Sequence, residues 1–159
     1  MKRFLMILIA SALVTGISAC DTDGFRPEEP SARPNDPHTN DTTMTLRIKV
    51  GAATFSATLR DNATAKAFWR MLPMTIRMAE MNGNEKYCNL PNSLPTAASN
   101  PGTIRNGDIM LYGSGTVVLF YKTFRTSFSY TAIGSIDDPV GLESALGRGD
   151  ATVTFEKAR

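Results

Sequence analysis

The chain has 159 residues, with 17 Lys and Arg against 15 Asp and Glu, one histidine and two cysteines. Its charge divides unevenly: residues 21–43 hold six acids and two arginines, whereas residues 44–159 hold thirteen basic residues and nine acids. An excess of four positive charges, scattered and without a Lys/Arg run, is too small for a nucleic-acid footprint, so nucleic acid is excluded as a partner.

The first element is a targeting segment. Lys2 and Arg3 precede an apolar run from Phe4 to Val14, broken only by Ser11, and Ile17-Ser18-Ala19-Cys20 follows. Basic, apolar, small, then cysteine is the order of a bacterial lipoprotein signal. The last four residues resemble a lipobox, where small side chains admit the peptidase and the thiol takes the lipid. The apolar run falls short of the roughly 20 residues a spanning helix needs. The expectation is a signal peptide over residues 1–19 and a lipidated Cys20 that ties the chain to a membrane of the cell envelope, facing the periplasm or the exterior. Acylation of Cys20 leaves Cys88 alone, so no internal disulfide is expected. Between Tyr87 and Asn89, Cys88 has no charge to stabilise a thiolate and reads as a half-buried, inert thiol.

Residues 20–43 form the next segment. Pro27, Pro30, Pro34 and Pro37 lie among Asp, Asn, Ser, Thr and Glu, and only Phe25 offers apolar surface. Such a stretch cannot offset its ordering entropy and is expected to be a disordered, extended tether. Residues 44–159 then suit a single domain.

Within that domain Met44, Leu46, Ile48 and Val50 alternate with polar residues, the period of a half-buried strand. Gly51-Ala52 turns the chain into a second alternating run at Phe55, Ala57 and Leu59, giving a hairpin. Asp61 or Asn62 caps a helix with apolar residues at Ala65, Phe68, Trp69 and Leu72, stopped by Pro73. Met74, Ile76 and Met78 return to strand. From Asn82 to Gly107 the pattern dissolves into a long irregular stretch, and loops of that length often carry function. Ile109 to Tyr112 and Thr116 to Tyr121 are strands joined at Gly113-Ser114-Gly115. Val117 to Phe120, apolar on both faces, marks a central strand. Phe128 to Ile136 is another strand. Asp138 is placed as the cap of a second helix with Pro139 at its first position, Leu142, Ala145 and Leu146 inward, and Gly147 closing it. Thr152 to Glu156 ends the series. Seven or so strands and two short helices imply a mainly β, closed barrel plugged by helices.

Several segments, in one order, resemble the bacterial cyclophilin-like domain family: Asn82-Gly83-Asn84-Glu85-Lys86-Tyr87, Pro101-Gly102-Thr103-Ile104, Gly107 to Gly113, Ser129 to Gly134, Asp137 to Leu142, and Ala145-Leu146-Gly147. The likeness covers nearly all of Met44 to Glu156. It implies a closed eight-stranded barrel with a helix at each end, as in cyclophilins, without implying their reaction. The active-site set of the cyclophilins, Arg, Phe, Gln, Trp and His, has no counterpart that can be placed here. The domain has no His, and its one Trp, Trp69, sits on the first helix.

Elimination narrows the chemistry. The lone His38 sits in the tether, which removes a nucleophile–histidine triad. Cys88 alone cannot build a usual zinc site, and no metal or other cofactor is expected. Gly113-Ser114-Gly115 lies between strands and reads as a turn, not a phosphate loop. Asp137-Asp138 has the residue types for paired-acid chemistry or calcium ligation, but the pair is already accounted for as a helix cap and its exposed neighbour. Prolyl isomerisation asks for less: an apolar slot and a donor to the proline nitrogen, with no bond made or broken. Arg125, among Tyr121, Phe124, Phe128 and Tyr130, is the candidate donor. The same residues also read as an aromatic strand forming half the barrel core with Arg125 turned to solvent. A binding module is the other class. Those aromatics, with Glu85, Lys86 and Tyr87 as polar handles or as ordinary loop solvation, would hold a peptide or small ligand without catalysis. A structural role in an envelope assembly is the third. Oligomeric state is left open.

Overall fold

The computed structural model describes residues 43–158. The targeting segment, Cys20, His38 and the tether lie outside them. Ten strands and two helices run in the order β1 (Thr45–Val50), β2 (Ala53–Leu59), α1 (Ala63–Arg70), β3 (Met74–Met81), β4 (Glu85–Asn89), β5 (Thr103–Ile104), β6 (Asp108–Tyr112), β7 (Thr116–Phe120), β8 (Phe124–Arg125), β9 (Thr131–Ile136), α2 (Leu142–Leu146) and β10 (Ala151–Lys157). Eight of the strands close an antiparallel barrel in the order β1-β10-β3-β4-β7-β6-β9-β2, and β5 pairs with β8 outside it. The closed eight-stranded barrel with two helices expected from the sequence is the fold the chain adopts.

Alternation selects the inner face. Leu46, Ile48 and Val50 of β1, Val153 and Phe155 of β10, Ile109 and Leu111 of β6, and Val117 and Leu119 of β7 are buried together in one core. The helices seal it from both ends. Helix α1 precedes the start of β3, while α2 leads into β10, whose first residue pairs with Met78 towards the far end of β3. Asn62 caps α1, its side-chain oxygen accepting from the Ala65 N–H at 2.8 Å, and Phe68 packs edge-on to Phe155 at 5.5 Å.

Three expectations need correction. The stretch from Asn82 to Gly107 is not irregular throughout, because its first part is β4, a full barrel strand paired with β3 and β7. Asn82 and Gly83, with φ of 57° and 69°, make the left-handed turn into it, and the Asn84 N–H donates to the Met81 carbonyl at 3.3 Å. The second helix starts later than Asp138. Its cap is Gly141, and the Asp138 carboxylate accepts from the Val140 N–H at 3.1 Å in a separate turn. The strand expected from Phe128 begins at Thr131, since Phe128 is exposed and Tyr130 makes only a single bridge to Ser99.

Candidate functional site

The same alternation that fills the barrel leaves apolar residues on its outside. Met110 of β6 and Val118 and Phe120 of β7 point outward. With Ile104 and Tyr130 they form a second, smaller core between the wall and the segments that cross it. Tyr87 of β4 and Phe124 of β8 pack against this cluster, and Phe120 meets Phe124 at 5.7 Å and Tyr130 at 5.5 Å. The chain from Leu90 reaches this face by first burying Leu90 and Leu94 in the main core. It is then held by the Ser99–Tyr130 backbone pair and the β5–β8 ladder.

The second layer does not cover the wall completely. A cleft of about 520 Å³ remains between β4, the outer faces of β6 and β7, and the strap from Phe124 to Phe128. Its two ends follow from the register. Met81, Asn82, Asn84 and Glu85 lie at the β3–β4 turn, and Asn89, Tyr112 and Thr116 at the opposite rim. Val118, Tyr87, Tyr130 and Phe124 supply apolar lining between them, and Arg125, Thr126, Ser127 and Phe128 form the far bank. A cavity of this size, apolar with a few polar groups converging on it, is what ligand sites are made of.

The candidate residues therefore separate. Glu85, Tyr87, Phe124, Arg125, Phe128 and Tyr130 share the cleft. Arg125 is exposed and Phe128 is 60% exposed, so the aromatics after Tyr121 do not form half of the barrel core; they build the layer outside it. Lys86 is neither a loop handle nor solvated. It faces the barrel interior and is fully buried. Its ammonium is paired with Glu80, its direct cross-strand neighbour, donates to the carbonyls of Gly147 at 2.9 Å and Gly149 at 2.6 Å, and lies 5.1 Å from the centre of the Tyr121 ring. Tyr121 is also buried, and its hydroxyl donates to Glu80 at 2.8 Å.

Charge behaves differently on the two sides of β4. Burial alone would push the Glu80 carboxyl up. Hydrogen bonds from Lys86, Tyr121 and the Gly83 N–H, with the Lys86 charge, outweigh it and hold the group below its usual range. The Tyr121 hydroxyl is driven up by burial and then by its bond to Glu80. Glu85, in the cleft, has no such compensation. Burial first, then the Glu80 charge, raises its carboxyl above the ordinary value. The Tyr130 hydroxyl is also raised, by burial and next by Glu85. The Asn84 side-chain oxygen is buried and has no hydrogen-bond partner among the described residues.

Glu80, Asn84 and Val118 were missed by the sequence reading. Glu80 had a signal: it continues the inward register of Met74, Ile76 and Met78 and faces Lys86 across an Asn-Gly turn. Cys88 is free and half-buried, its thiol 3.5 Å from the Asn89 carbonyl, and no group of three or more His, Cys, Asp or Glu side chains suited to a metal occurs among the described residues.

Comparison with known proteins agrees with the barrel. The model of the Cyclophilin-like family matches residues 48–156. A hypothetical protein from Archaeoglobus fulgidus, known from its solution structure, is similar in fold: 22% identity, a TM-score of 0.56, and coverage of 73% of this chain and 95% of its own. No curated protein matches the chain.

Proposed function

Because the chain belongs to the cyclophilin-like family and its barrel wall carries an open apolar cleft, we propose that it is a lipid-anchored envelope protein that binds a peptide or small ligand there. The observation that supports this best is the incomplete outer layer. Met110 and Phe120 are covered by the crossing segments, while Tyr87 and Val118 line an opening that continues along β4 to Glu85 and Asn89. Exposed apolar surface costs about 25 cal/mol per Å² relative to burial, so a patch left open on a folded wall is suited to an occupant. The groove follows β4, and five strand residues span about 17 Å, the length of an equally long extended peptide. Titration of the full chain with a pool of short extended peptides, followed by amide shifts, is expected to perturb β4, β7 and residues 124–130. Shifts confined to other faces would refute the site.

Anchoring rests on Lys2, Arg3, the apolar run and Cys20. Expression with a labelled fatty acid is expected to mark the parent and leave Cys20→Ser unmarked.

A second reading, prolyl isomerisation, is favoured by one feature: Arg125 lines the cleft next to Phe124, a donor beside an apolar slot. A guanidinium directed at the proline nitrogen would weaken amide resonance and lower a barrier of about 20 kcal/mol. A protease-coupled assay distinguishes the readings. Turnover that collapses in Arg125→Ala makes the cleft catalytic, whereas absence of turnover on Xaa-Pro peptides leaves a binding module.

A further inference from the structure

Nine carboxylates lie in the barrel domain. Five are in ion pairs with lysine or arginine, and three accept from a hydroxyl or a backbone N–H. Glu85 alone has neither among the described residues, and it is half-buried in the cleft. Its neighbour Lys86 cannot serve, since its side chain points to the other face of β4 and its ammonium is already held by Glu80 and two carbonyls. Burial, then the Glu80 charge, raises the Glu85 carboxyl above its ordinary value, and Arg125, which also lines the cleft, forms no ion pair with it among the described residues. A desolvated carboxylate without a cation is an unfavourable element of the empty protein that a cationic ligand would relieve.

The surroundings narrow that cation further. Tyr87 stands two residues along the same face of β4, and Tyr130 lines the same cleft, its hydroxyl raised by burial and next by the Glu85 charge. Aromatic walls beside a carboxylate suit an ammonium on an apolar stem, which lays its methylenes on the rings and its charge at the end. The groove has the length of a short extended segment, and its floor strand β4 is already paired on both edges, so recognition must come from side chains.

We propose that the cleft takes an extended peptide segment bearing a lysine, its ammonium paired with Glu85 and its stem along Tyr87 and Tyr130. This rests on the cleft being a peptide-binding site at all. The full chain is titrated with acetyl-Ala-Ala-Lys-Ala-Ala-amide and with the same peptide carrying norleucine, which keeps the stem and removes the charge. The lysine peptide is expected to bind about tenfold tighter at low salt, a preference of about 1.4 kcal/mol. In Glu85→Gln that preference shrinks to less than about twofold. Equal binding of both peptides to the parent overturns the lysine assignment and leaves the cleft as an apolar site. A preference that persists in Glu85→Gln overturns the role of Glu85. Absence of cleft shifts with either peptide overturns the binding reading and this inference together. The norleucine comparison needs no variant, so it decides the matter even if Glu85→Gln folds poorly.

Discussion

Replacing Lys86 by methionine tests whether the charged cluster inside the barrel mouth holds the fold together. Methionine keeps the volume and removes the ammonium. Glu80 then loses its cation, and the carbonyls of Gly147 and Gly149 lose their donor. Removing one partner of a buried pair costs about 3–5 kcal/mol where the remaining charge is fully enclosed. Glu80 is less confined. Its side chain is 20% exposed and it keeps the Tyr121 hydroxyl and the Gly83 N–H, while both glycines lie at the surface and can turn to water. The loss should therefore fall near the lower end, about 3 kcal/mol. With a urea dependence of about 1.5 kcal/mol per molar, the midpoint drops by about 2 M. The acid side gives an independent check. The Glu80 carboxyl is held below its unfolded value, so its contribution is complete above that value and is lost as pH falls through the folded one. The gap between parent and variant should narrow over the same window. A midpoint unchanged at neutral pH would mean that the cluster is hydrated and contributes nothing to stability.

Gly134→Ala should lower stability by about 2–3 kcal/mol, read by thermal unfolding, because a Cβ there would sit 2.5 Å from the Thr58 carbonyl and 2.9 Å from Leu59 Cδ2. Asn62→Ala removes the α1 cap and the amide donation to the Ala132 carbonyl at 2.8 Å; about 1–2 kcal/mol is expected in the same assay. Glu85→Gln should raise the urea midpoint at pH 7. With its folded carboxyl raised by burial and Glu80, the parent loses stability as pH climbs from the ordinary carboxylate value through the folded one, and glutamine abolishes that slope.

The barrel was legible because its strands are mostly amphipathic. Leu46-Ile48-Val50 and Phe55-Ala57-Leu59 declare both their period and their inward face. Strand β4 is hard to read for a physical reason: its inward positions are Lys86 and Cys88 and its outward ones Glu85, Tyr87 and Asn89, so Glu85 to Asn89 shows no apolar alternation. The Asn82-Gly83 turn is the available clue, but with no alternating apolar run after it the pair reads as loop punctuation. Asp138-Pro139 has the composition of a helix start, yet the aspartate closes a local turn and α2 begins after Gly141. The aromatics around Arg125 stand out as a group in the sequence, but composition does not say which side of a barrel wall they occupy.

That ambiguity has a structural meaning. In a barrel of this kind each strand should be apolar inside and polar outside, and two adjacent strands break the rule in opposite senses. Strand β7 is buried along Val117 to Phe120, apolar on both faces, so it needs a second layer outside. Strand β4 carries a charge inside, and that charge is neutralised only because Glu80 stands directly opposite it. The outer layer supplied by Ile104, Phe124 and Tyr130 covers Met110 and Phe120 and reaches Tyr87 of β4, but leaves a cleft over Val118 that runs on to both ends of β4. An open apolar strip therefore forms beside the one strand whose exposed face also presents an unpaired carboxylate. Apolar surface and unmatched charge, placed together by strand register, are what give this wall the character of a site rather than of a defect in packing.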